Sequence, residues 1–218
     1  MSTLELVGRA SSLYTRMPAM FAEELRVPYQ LVPIYDMTAL GQENYAGNPA
    51  MKLPILRLNG SNGPVLFGAQ NICRAIADRA KVRRRIVWPE MLSDELSRNA
   101  QELVWHCMAA QVQIVFGTII GKLPTHNIYF VKARSGLEGS LRWLDANLSA
   151  ALDALPPSDL SLFEVSLHCL LEHLTFRGTL VIDPYPSLLG FTRVFAKRPS
   201  AQRTLYRFDP PPGGKAPR

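Results

Sequence analysis

The sequence predicts a fold of the class α/β plus all-α, in which a small domain of strands and helices precedes a domain of helices alone. Short apolar runs alternate with helical patterns over residues 1–80, whereas every strong pattern after Pro89 is helical. The arginine-rich stretch between them is typical of a linker. We therefore predict domains at 1–80 and 93–208, a linker at 81–92, and a Pro/Gly-rich tail at 209–218 that we expect to be disordered.

Length and composition are those of a soluble globular protein. The 218 residues are 47% hydrophobic and 19% charged, which allows a sizeable core. The first residues include Glu5 and lack an apolar stretch, so we expect no signal peptide. The apolar run Val112–Ile120 contains Gln113 and Gly117 and is too short to span a bilayer. These features predict a cytoplasmic protein without a membrane partner.

The net charge of +6 is dispersed along the chain. The only basic run is Lys81-Val82-Arg83-Arg84-Arg85, and no aromatic ladder surrounds it. Such a run is typical of a solvated linker or helix end, and the alternative is a patch for an anionic partner. We expect no nucleic acid as a partner.

Cysteine and histidine spacing predicts no metal site. There is no CxxC pair and no other metal-ligand spacing, so the cysteines are interpreted as core thiols and the histidines as structural or surface residues. These residues are Cys73, Cys107, Cys169, His106, His126, His168 and His173.

The first domain begins with a strand that ends at Gly8, followed by a polar corner at Arg9–Ser12. Helical spacing of apolar residues then predicts a helix over Leu13–Leu25. Pro18 suits a first helical turn and would kink the helix if deeper, which allows the helix to begin later than Ser12. A strand and a polar segment come next, at Tyr29–Ile34 and Asp36–Gly47.

A proline opens the third strand, predicted over Leu53–Leu58. Because Pro54 cannot donate to a ladder, it belongs at a strand start or an edge, and it is the residue type that readily takes a cis peptide bond. A hairpin turn at Asn59–Gly63 leads to a strand at Val65–Phe67 and a helix at Ala69–Arg79.

The second domain is predicted to consist of helices with recognisable starts. Ser93-Asp94-Glu95 caps a long helix that runs to about Gly121, and Ser161–Glu164 has the form of a capping box before an apolar central helix. The other helical patterns cover Asn127–Leu152, Pro186–Ala196 and a last turn from Arg198.

The order and spacing of these segments resemble the cytosolic glutathione S-transferase superfamily over nearly the whole chain. The segments that carry the resemblance are Ser12–Arg16, Glu23-Glu24, Asn48-Pro49 with Lys52–Leu56, Ser161–Glu164, Tyr185–Leu188 and Arg198–Thr204. The resemblance implies a thioredoxin-like N-terminal domain, an all-helical glutathione transferase C-terminal domain, and a homodimer.

The resemblance also implies an activity. A glutathione S-transferase-like protein activates the thiol of glutathione for attack on a small apolar electrophile, a reaction of detoxification. One alternative is a non-catalytic binding module on the same fold that works in a protein complex and has lost efficient glutathione binding. Another is a lyase or isomerase that uses the thiol transiently. Fold alone does not decide among these functions.

The resemblance assigns Ser12 as the residue that donates a hydrogen bond to the glutathione sulfur. A free thiol titrates near ~8.5, so it needs such stabilisation to ionise at neutral pH. The start of a helix also favours an anion. Ser12 is alternatively only the helix N-cap, in which case Ser11, Tyr14 or Thr15 faces the thiol.

The resemblance places the rest of the tripeptide along the third strand and the following helix. The backbone of Leu53, held by Pro54, pairs with the cysteinyl unit. Lys52 holds the glycyl carboxylate, unless it is simply an exposed loop lysine, and Gln42 is a weaker candidate for the same role.

Gly68 and Ala69 depart from the family pattern. Most members have an acidic residue or Gln followed by Ser or Thr here, and that pair grips the γ-glutamyl end. In this chain only backbone N–H groups, as at Ala69, and the side chain of Gln70 remain. Two lost hydrogen bonds to charged groups, each worth roughly 1.5–3 kcal/mol, predict binding about 10²–10⁴-fold weaker.

The electrophile pocket implied by the resemblance is apolar. Its candidate residues share helical spacing in the first long helix, apart from one near the corner; a plain core stripe is the alternative. They are Tyr14, Trp105, Met108, Val112 and Phe116.

Overall fold

The computed structural model describes residues 4–58 and 63–210, and the chain separates into two compact units. The first unit contains the described residues up to Arg83 together with those from Lys197 onward, and the second is Arg84–Ala196. Residues 197–208, predicted to belong to the helical domain, group with the N-terminal unit. The predicted turn at 59–62 and the tail from 211 lie outside the described residues.

The first unit has the thioredoxin-like arrangement that the resemblance implied. Its sheet has the strand order β2-β1-β3-β4, in which β1 is parallel to β2 and antiparallel to β3, and β3 is antiparallel to β4. The elements are β1 (Leu4–Gly8), α1 (Leu13–Leu25), β2 (Tyr29–Pro33), a 3-10 turn (Gln42–Tyr45), β3 (Ile55–Arg57), β4 (Val65–Phe67), α2 (Ala69–Arg79) and α7 (Pro199–Arg203).

The register of the sheet brings several strand ends to one edge. Val7 pairs with Ile55, and Ile55 pairs with Phe67. Because β3 is antiparallel to both β1 and β4, these two strands end at the same edge at which β3 begins. The starts of α1 and α2, which follow β1 and β4, therefore lie beside the start of β3.

Helix α1 begins at Leu13 with Ser12 as its N-cap, so Pro18 does not delay the start of the helix. Pro18 lies in its second turn, and the proline side chain is buried there. Most of α1 is buried because α2 and α7 both pack against it. Strand β3 is shorter than predicted and begins only after the Leu53-Pro54 pair.

An ordered turn lies within the polar segment after β2. Tyr45 in the 3-10 turn is only 2% exposed and forms a core cluster with Val7, Ile34 and Ile55. Its hydroxyl donates to the carbonyl of Met37 at 3.0 Å. This segment therefore contributes a buried aromatic side chain to the core of the first unit.

The C-terminal residues join the first unit because α1 buries two charged residues that need partners. Glu24 is 8% exposed and accepts hydrogen bonds from Arg198 Nε at 2.9 Å and from the Ser200 hydroxyl at 2.6 Å. Arg16 is 3% exposed and donates to the carbonyl of Ala201 at 3.2 Å. Buried charges require such pairing, so these contacts fix the segment to α1.

The second unit is helical apart from one small sheet. Strand β5 pairs in parallel with β6, and Asp159 just before β6 accepts a hydrogen bond from the backbone of Arg85 at 2.8 Å. The predicted linker thus contains a strand. The elements are β5 (Ile86–Val87), a 3-10 turn (Pro89–Met91), α3 (Glu95–Ile114), a π-helical turn (Val115–Ile120), α4 (Ile128–Asp153), β6 (Leu160–Ser161), α5 (Leu162–Arg177) and α6 (Pro186–Phe195).

Helix α3 and its π-helical continuation form one long apolar rod. Asp94 caps its start by accepting from the backbone of Ser97 at 2.8 Å. By length and composition alone, Glu95–Ile120 is apolar enough to cross a membrane, with a mean hydropathy of 1.6 and 39% of that window buried. Core helices of soluble proteins meet the same criteria, and this one packs against α4 and α5.

Helix α5 is the buried centre of the second unit, and its capping box forms as predicted. The Ser161 hydroxyl accepts from the backbone N–H of Glu164 at 3.1 Å and donates to the Glu164 carboxylate at 2.7 Å. Two histidines on α5 have buried polar partners: His168 lies 2.9 Å from the Thr192 hydroxyl, and His173 lies 3.0 Å from Gln111.

All three cysteines are buried free thiols, as their spacing predicted. Burial raises the pKa of the Cys107 thiol to about 12, although a hydrogen bond with Ser140 opposes the shift. A thiol with so high a pKa is not a nucleophile at neutral pH.

Replacing the cap of the central helix should destabilise the protein. Ser161→Ala removes an acceptor that is fully buried and leaves the Glu164 N–H without it, so the free energy of unfolding should fall by about 1–2 kcal/mol. Urea denaturation measures this change. Ser93→Ala is the matched control, because Ser93 is exposed and is not a cap, and it should be nearly neutral. Equal effects of the two substitutions would contradict a stabilising role for the capping box.

Candidate functional site

Three backbone segments of the first unit meet at the sheet edge where β3 begins. They are the start of α1 at Ser12, the Leu53-Pro54 pair before β3, and the start of α2 at Gly68-Ala69. The register described above brings them together, since each lies within a few residues of the paired positions Val7, Ile55 and Phe67. Two helix N-termini therefore accompany the start of a strand, an arrangement suited to an anionic, peptide-like ligand.

Ser12 is the N-cap of α1, with its hydroxyl oxygen 3.3 Å from the backbone nitrogen of Thr15 that donates to it. A hydroxyl carries one proton and two lone pairs, so it caps the helix as an acceptor and still has its proton to donate. Ser12 is half-buried. The two interpretations of this residue, cap and hydrogen-bond donor to a ligand, are compatible.

The neighbouring hydroxyls differ in access. Ser11 is 1% exposed and Thr15 is 2% exposed, whereas Tyr14 is half-buried. Thr15 packs against Gly8, where a β-carbon would collide with the threonine side chain. Burial raises the pKa of Tyr14, which keeps its phenol protonated. Ser12 and Tyr14 are thus the corner residues with hydroxyls that a ligand can approach.

The Leu53-Pro54 peptide bond is cis, and Asn48 holds the loop that leads to it. The Asn48 side chain donates to the carbonyl of Lys52 at 2.7 Å and accepts from the backbone of Ala50 at 3.0 Å. Asn48 is 4% exposed. The sequence indicated Asn48 only as part of a motif and did not predict that its side chain holds this loop. The signal was an Asn just before a proline, a residue type that bonds to nearby backbone in turns.

The proposed carboxylate ligands lie in loops. Lys52 is exposed beside Leu53, which is half-buried, while Pro54 is buried. Gln42 begins the 3-10 turn that carries Tyr45 and is exposed. Lys52 lies three positions before Ile55, the first residue of β3.

The start of α2 presents backbone rather than side-chain donors. Gly68 is the N-cap, makes no side-chain capping bond, and has a φ of +85°. Helix N-termini leave their first N–H groups without intrahelical partners, and here these include Ala69, which is buried, and Gln70, which is half-buried. The positive φ is a conformation that glycine adopts far more readily than other residues.

The candidate pocket residues of the second unit share one face of α3 and its continuation but differ in exposure. Met108 is fully buried and is a core residue, and Trp105 is half-buried. Val112 and Phe116 are 40% and 44% exposed. Tyr14 belongs to the other unit, so the structure does not describe these residues as one pocket. Among the described residues, no group of His, Cys, Asp and Glu is arranged to hold a metal ion.

Backbone strain at the start of α2 gives a test. Gly68→Ala should lower the free energy of unfolding by about 1–2 kcal/mol, because a β-carbon would meet nothing within 4 Å but would force a φ of +85° on an L-residue. Gly190→Ala is the matched control, since its β-carbon also meets nothing but it lies within α6. That substitution should raise the free energy of unfolding by about 0.5–1 kcal/mol. Denaturation of both variants measures the difference, and the same sign for both would refute the conformational explanation.

Part of the sheet unit matches the sequence model of a known family. The family model described as "Glutathione S-transferase, N-terminal domain" matches residues 11–79, which contain all three segments of the site. A search of curated protein sequences gives no match.

The structure also resembles solved structures along almost the whole chain. A glutathione transferase family member from Pseudomonas fluorescens with bound glutathione aligns with a TM-score of 0.73 at 21% identity, covering 93% of this chain and 98% of that one. A glutathione S-transferase from Methylobacterium radiotolerans in complex with glutathione sulfonate aligns with a TM-score of 0.71 at 18% identity, covering 93% of this chain and 94% of that one. A glutathione S-transferase from Methylobacillus flagellatus with glutathione bound aligns with a TM-score of 0.70 at 20% identity, covering 93% of this chain and 99% of that one.

These two kinds of likeness agree on the same assignment. At identities near 20% the structural likeness shows the fold, while the family model identifies the sheet-containing part by sequence. Residues 11–79 thus match the glutathione S-transferase N-terminal domain model, and the chain has the fold of the glutathione S-transferases.

Proposed function

We propose that this protein is a glutathione transferase-type enzyme that adds the thiolate of glutathione to an apolar electrophile. The observation that carries the proposal is the meeting of the cis Leu53-Pro54 pair with the starts of α1 and α2 at one sheet edge. Solved proteins of the same fold have glutathione or a derivative bound. Glutathione is accordingly the proposed cosubstrate, and no metal is needed for the reaction.

Each part of the tripeptide has a partner in this proposal. The backbone of Leu53, directed by Pro54 and by the loop that Asn48 holds, pairs with the cysteinyl unit as an added strand would. The N–H groups of Ala69 and Gln70 receive the γ-glutamyl carboxylate at the start of α2. Lys52 is the proposed partner of the glycyl carboxylate.

Ser12 is the proposed catalytic residue. Its hydroxyl accepts the capping bond from Thr15, and its proton donates to the sulfur, which stabilises the thiolate over the thiol. The dipole of α1 acts in the same direction. Ser12 is favoured over Ser11 and Thr15 because those side chains are almost fully buried.

The electrophile is proposed to meet apolar side chains. Val112 and Phe116 are the exposed members of the α3 stripe, with Trp105 half-buried beside them and Tyr14 at the corner of the first unit. Met108, fully buried, shapes this stripe from the core. The chemistry of these side chains suits a small apolar substrate.

A second candidate function follows from Gly68 and Ala69. Neither offers a polar side-chain atom, so backbone N–H groups and the side chain of Gln70 are left to hold the γ-glutamyl end. Binding should be about 10²–10⁴-fold weaker than with two further side-chain partners. A non-catalytic binding module on this fold is the function that such a weakened grip would leave. A cytoplasmic homodimer is the proposed state in either case, which sedimentation of the purified protein would test.

Calorimetric titration with glutathione separates the two functions. A transferase should bind glutathione with a dissociation constant in the millimolar range or below, weaker than a site with the full side-chain grip. The absence of a binding heat at millimolar glutathione would contradict the transferase function and favour the binding module. Asn48→Ala should weaken binding about tenfold, because it frees the Lys52 carbonyl and the loop before the strand.

The role of Ser12 is tested by the pKa of bound glutathione. In Ser12→Ala the sulfur loses its donor, so the pKa of the bound thiol should rise by about one unit, or about 1.4 kcal/mol, while affinity changes little. Ultraviolet absorbance of the thiolate across pH measures it. Tyr14→Phe is the control that removes one other accessible hydroxyl and should leave that pKa unchanged. A shift with Tyr14→Phe and none with Ser12→Ala would move the role to Tyr14.

A further inference from the structure

The first unit contains a small cavity that the proposed reaction does not use. Its volume is about 70 Å³, and its walls come from the corner at Arg9-Ala10, from α1 and β2, and from the C-terminal segment Arg203–Arg207. In the sheet, β2 lies on one side of β1, whereas β3 and β4, which bound the proposed glutathione site, lie on the other. The cavity therefore lies on the β2 side of β1, although the corner that contributes Arg9 also leads to Ser12.

The walls of this cavity are strongly basic. Four arginines line it: Arg9 and Arg16 from the corner and α1, and Arg203 and Arg207 from the C-terminal segment. Arg16 is 3% exposed, and its guanidinium stacks on the ring of Tyr206 at 4.3 Å. A buried guanidinium group such as that of Arg16 interacts more strongly with an anion than it would in water.

Two carboxylates accept hydrogen bonds at the walls of the cavity. Glu23 accepts from Arg203 at 3.0 Å, and Asp209 accepts from the backbone N–H of Ala10 at 3.0 Å. Neither of these two bonds involves the guanidinium group of Arg9 or of Arg207.

Two of the arginines have donors to spare. Within residues 4–58 and 63–210, Arg9 makes no ion pair; it donates only one side-chain bond, to the carbonyl of Tyr35 at 3.4 Å, and its buried Nε has no partner. Arg207 has no ion pair in the same described ranges and is exposed. Buried donors normally have a hydrogen-bond partner, so the unpartnered Nε of Arg9 indicates that a ligand binds there.

We propose that this cavity is a binding site for a small oxyanion of the phosphate type, either free phosphate or a phosphate group of a larger ligand. The volume exceeds the roughly 10–15 Å³ needed for one water by several-fold, which suits a group of that size. The guanidinium fork matches phosphate oxygens in pairs, and Arg9, Arg16 and Arg207 approach from different elements.

Binding would link the C-terminal segment to the corner that carries Ser12. Arg203 and Arg207 belong to that segment, while Arg9 lies three residues before Ser12. Arg16 already holds the segment through the carbonyl of Ala201 and the ring of Tyr206. An anion between Arg9 and Arg207 adds a further bridge, so amide hydrogen exchange over residues 203–209 should slow when it binds.

Titration of the full chain with inorganic phosphate at constant ionic strength tests the site. Wild-type protein should bind with one site per chain, and Arg9→Gln and Arg207→Gln should each weaken binding about tenfold or more. Arg83→Gln is the matched control, because Arg83 is an exposed arginine of the same unit outside the cavity, and it should bind as wild type. Circular dichroism checks that each variant is folded.

Three results would overturn the proposal: no saturable binding of phosphate, an equal loss in Arg83→Gln, or unchanged binding in both cavity variants. Competition with phenyl phosphate identifies the source of the group. Tighter binding of phenyl phosphate indicates a larger phosphorylated ligand, and exclusion of it indicates free phosphate. The phosphate titration is made without glutathione, so its outcome does not depend on whether the protein binds glutathione.

Discussion

The backbone pairing of Val7 with Ile55 and of Ile55 with Phe67 determines where the elements of the first unit begin and end. Because β3 runs opposite to both of its neighbours, one strand start and two strand ends share an edge. Both helix N-termini follow from that edge. A one-residue slip in either pairing would turn Ile55 from the core to the other face and separate the three segments of the site. Every contact proposed with glutathione depends on this register.

Local patterns predicted the elements well because their determinants lie within one or two turns of chain. Helices Leu13–Leu25 and Ala69–Arg79 have the predicted bounds, and the Ser161–Glu164 capping box forms where the sequence placed it. The cis bond at Leu53-Pro54 agrees with the family resemblance. Capping and periodicity are short-range properties, so sequence alone reveals them.

Long-range partners were not predictable in the same way. The assignment of residues 198–204 to the first unit depends on Glu24 and Arg16, which lie more than 170 positions away in sequence. Strand β5 forms only because β6, more than 70 residues later, pairs with it. Nothing within the Arg-rich stretch itself signals a strand. The role of Asn48 was not predicted for a different reason. Its side-chain amide donates to the carbonyl of Lys52, and in another turn water could have bonded to that carbonyl instead.

The conformation of Gly68 limits the ways in which this fold could acquire a tighter grip on the γ-glutamyl group. A polar side chain at position 68 would reach open space, but it would have to adopt a φ of +85° and would lose stability as it gained a contact. Ala69 is helical and carries no such restriction, so a hydroxyl there would cost the backbone nothing. The two positions are neighbours in sequence yet unequal as routes to higher affinity. A substitution at position 69 therefore avoids the backbone strain that any substitution of Gly68 would introduce.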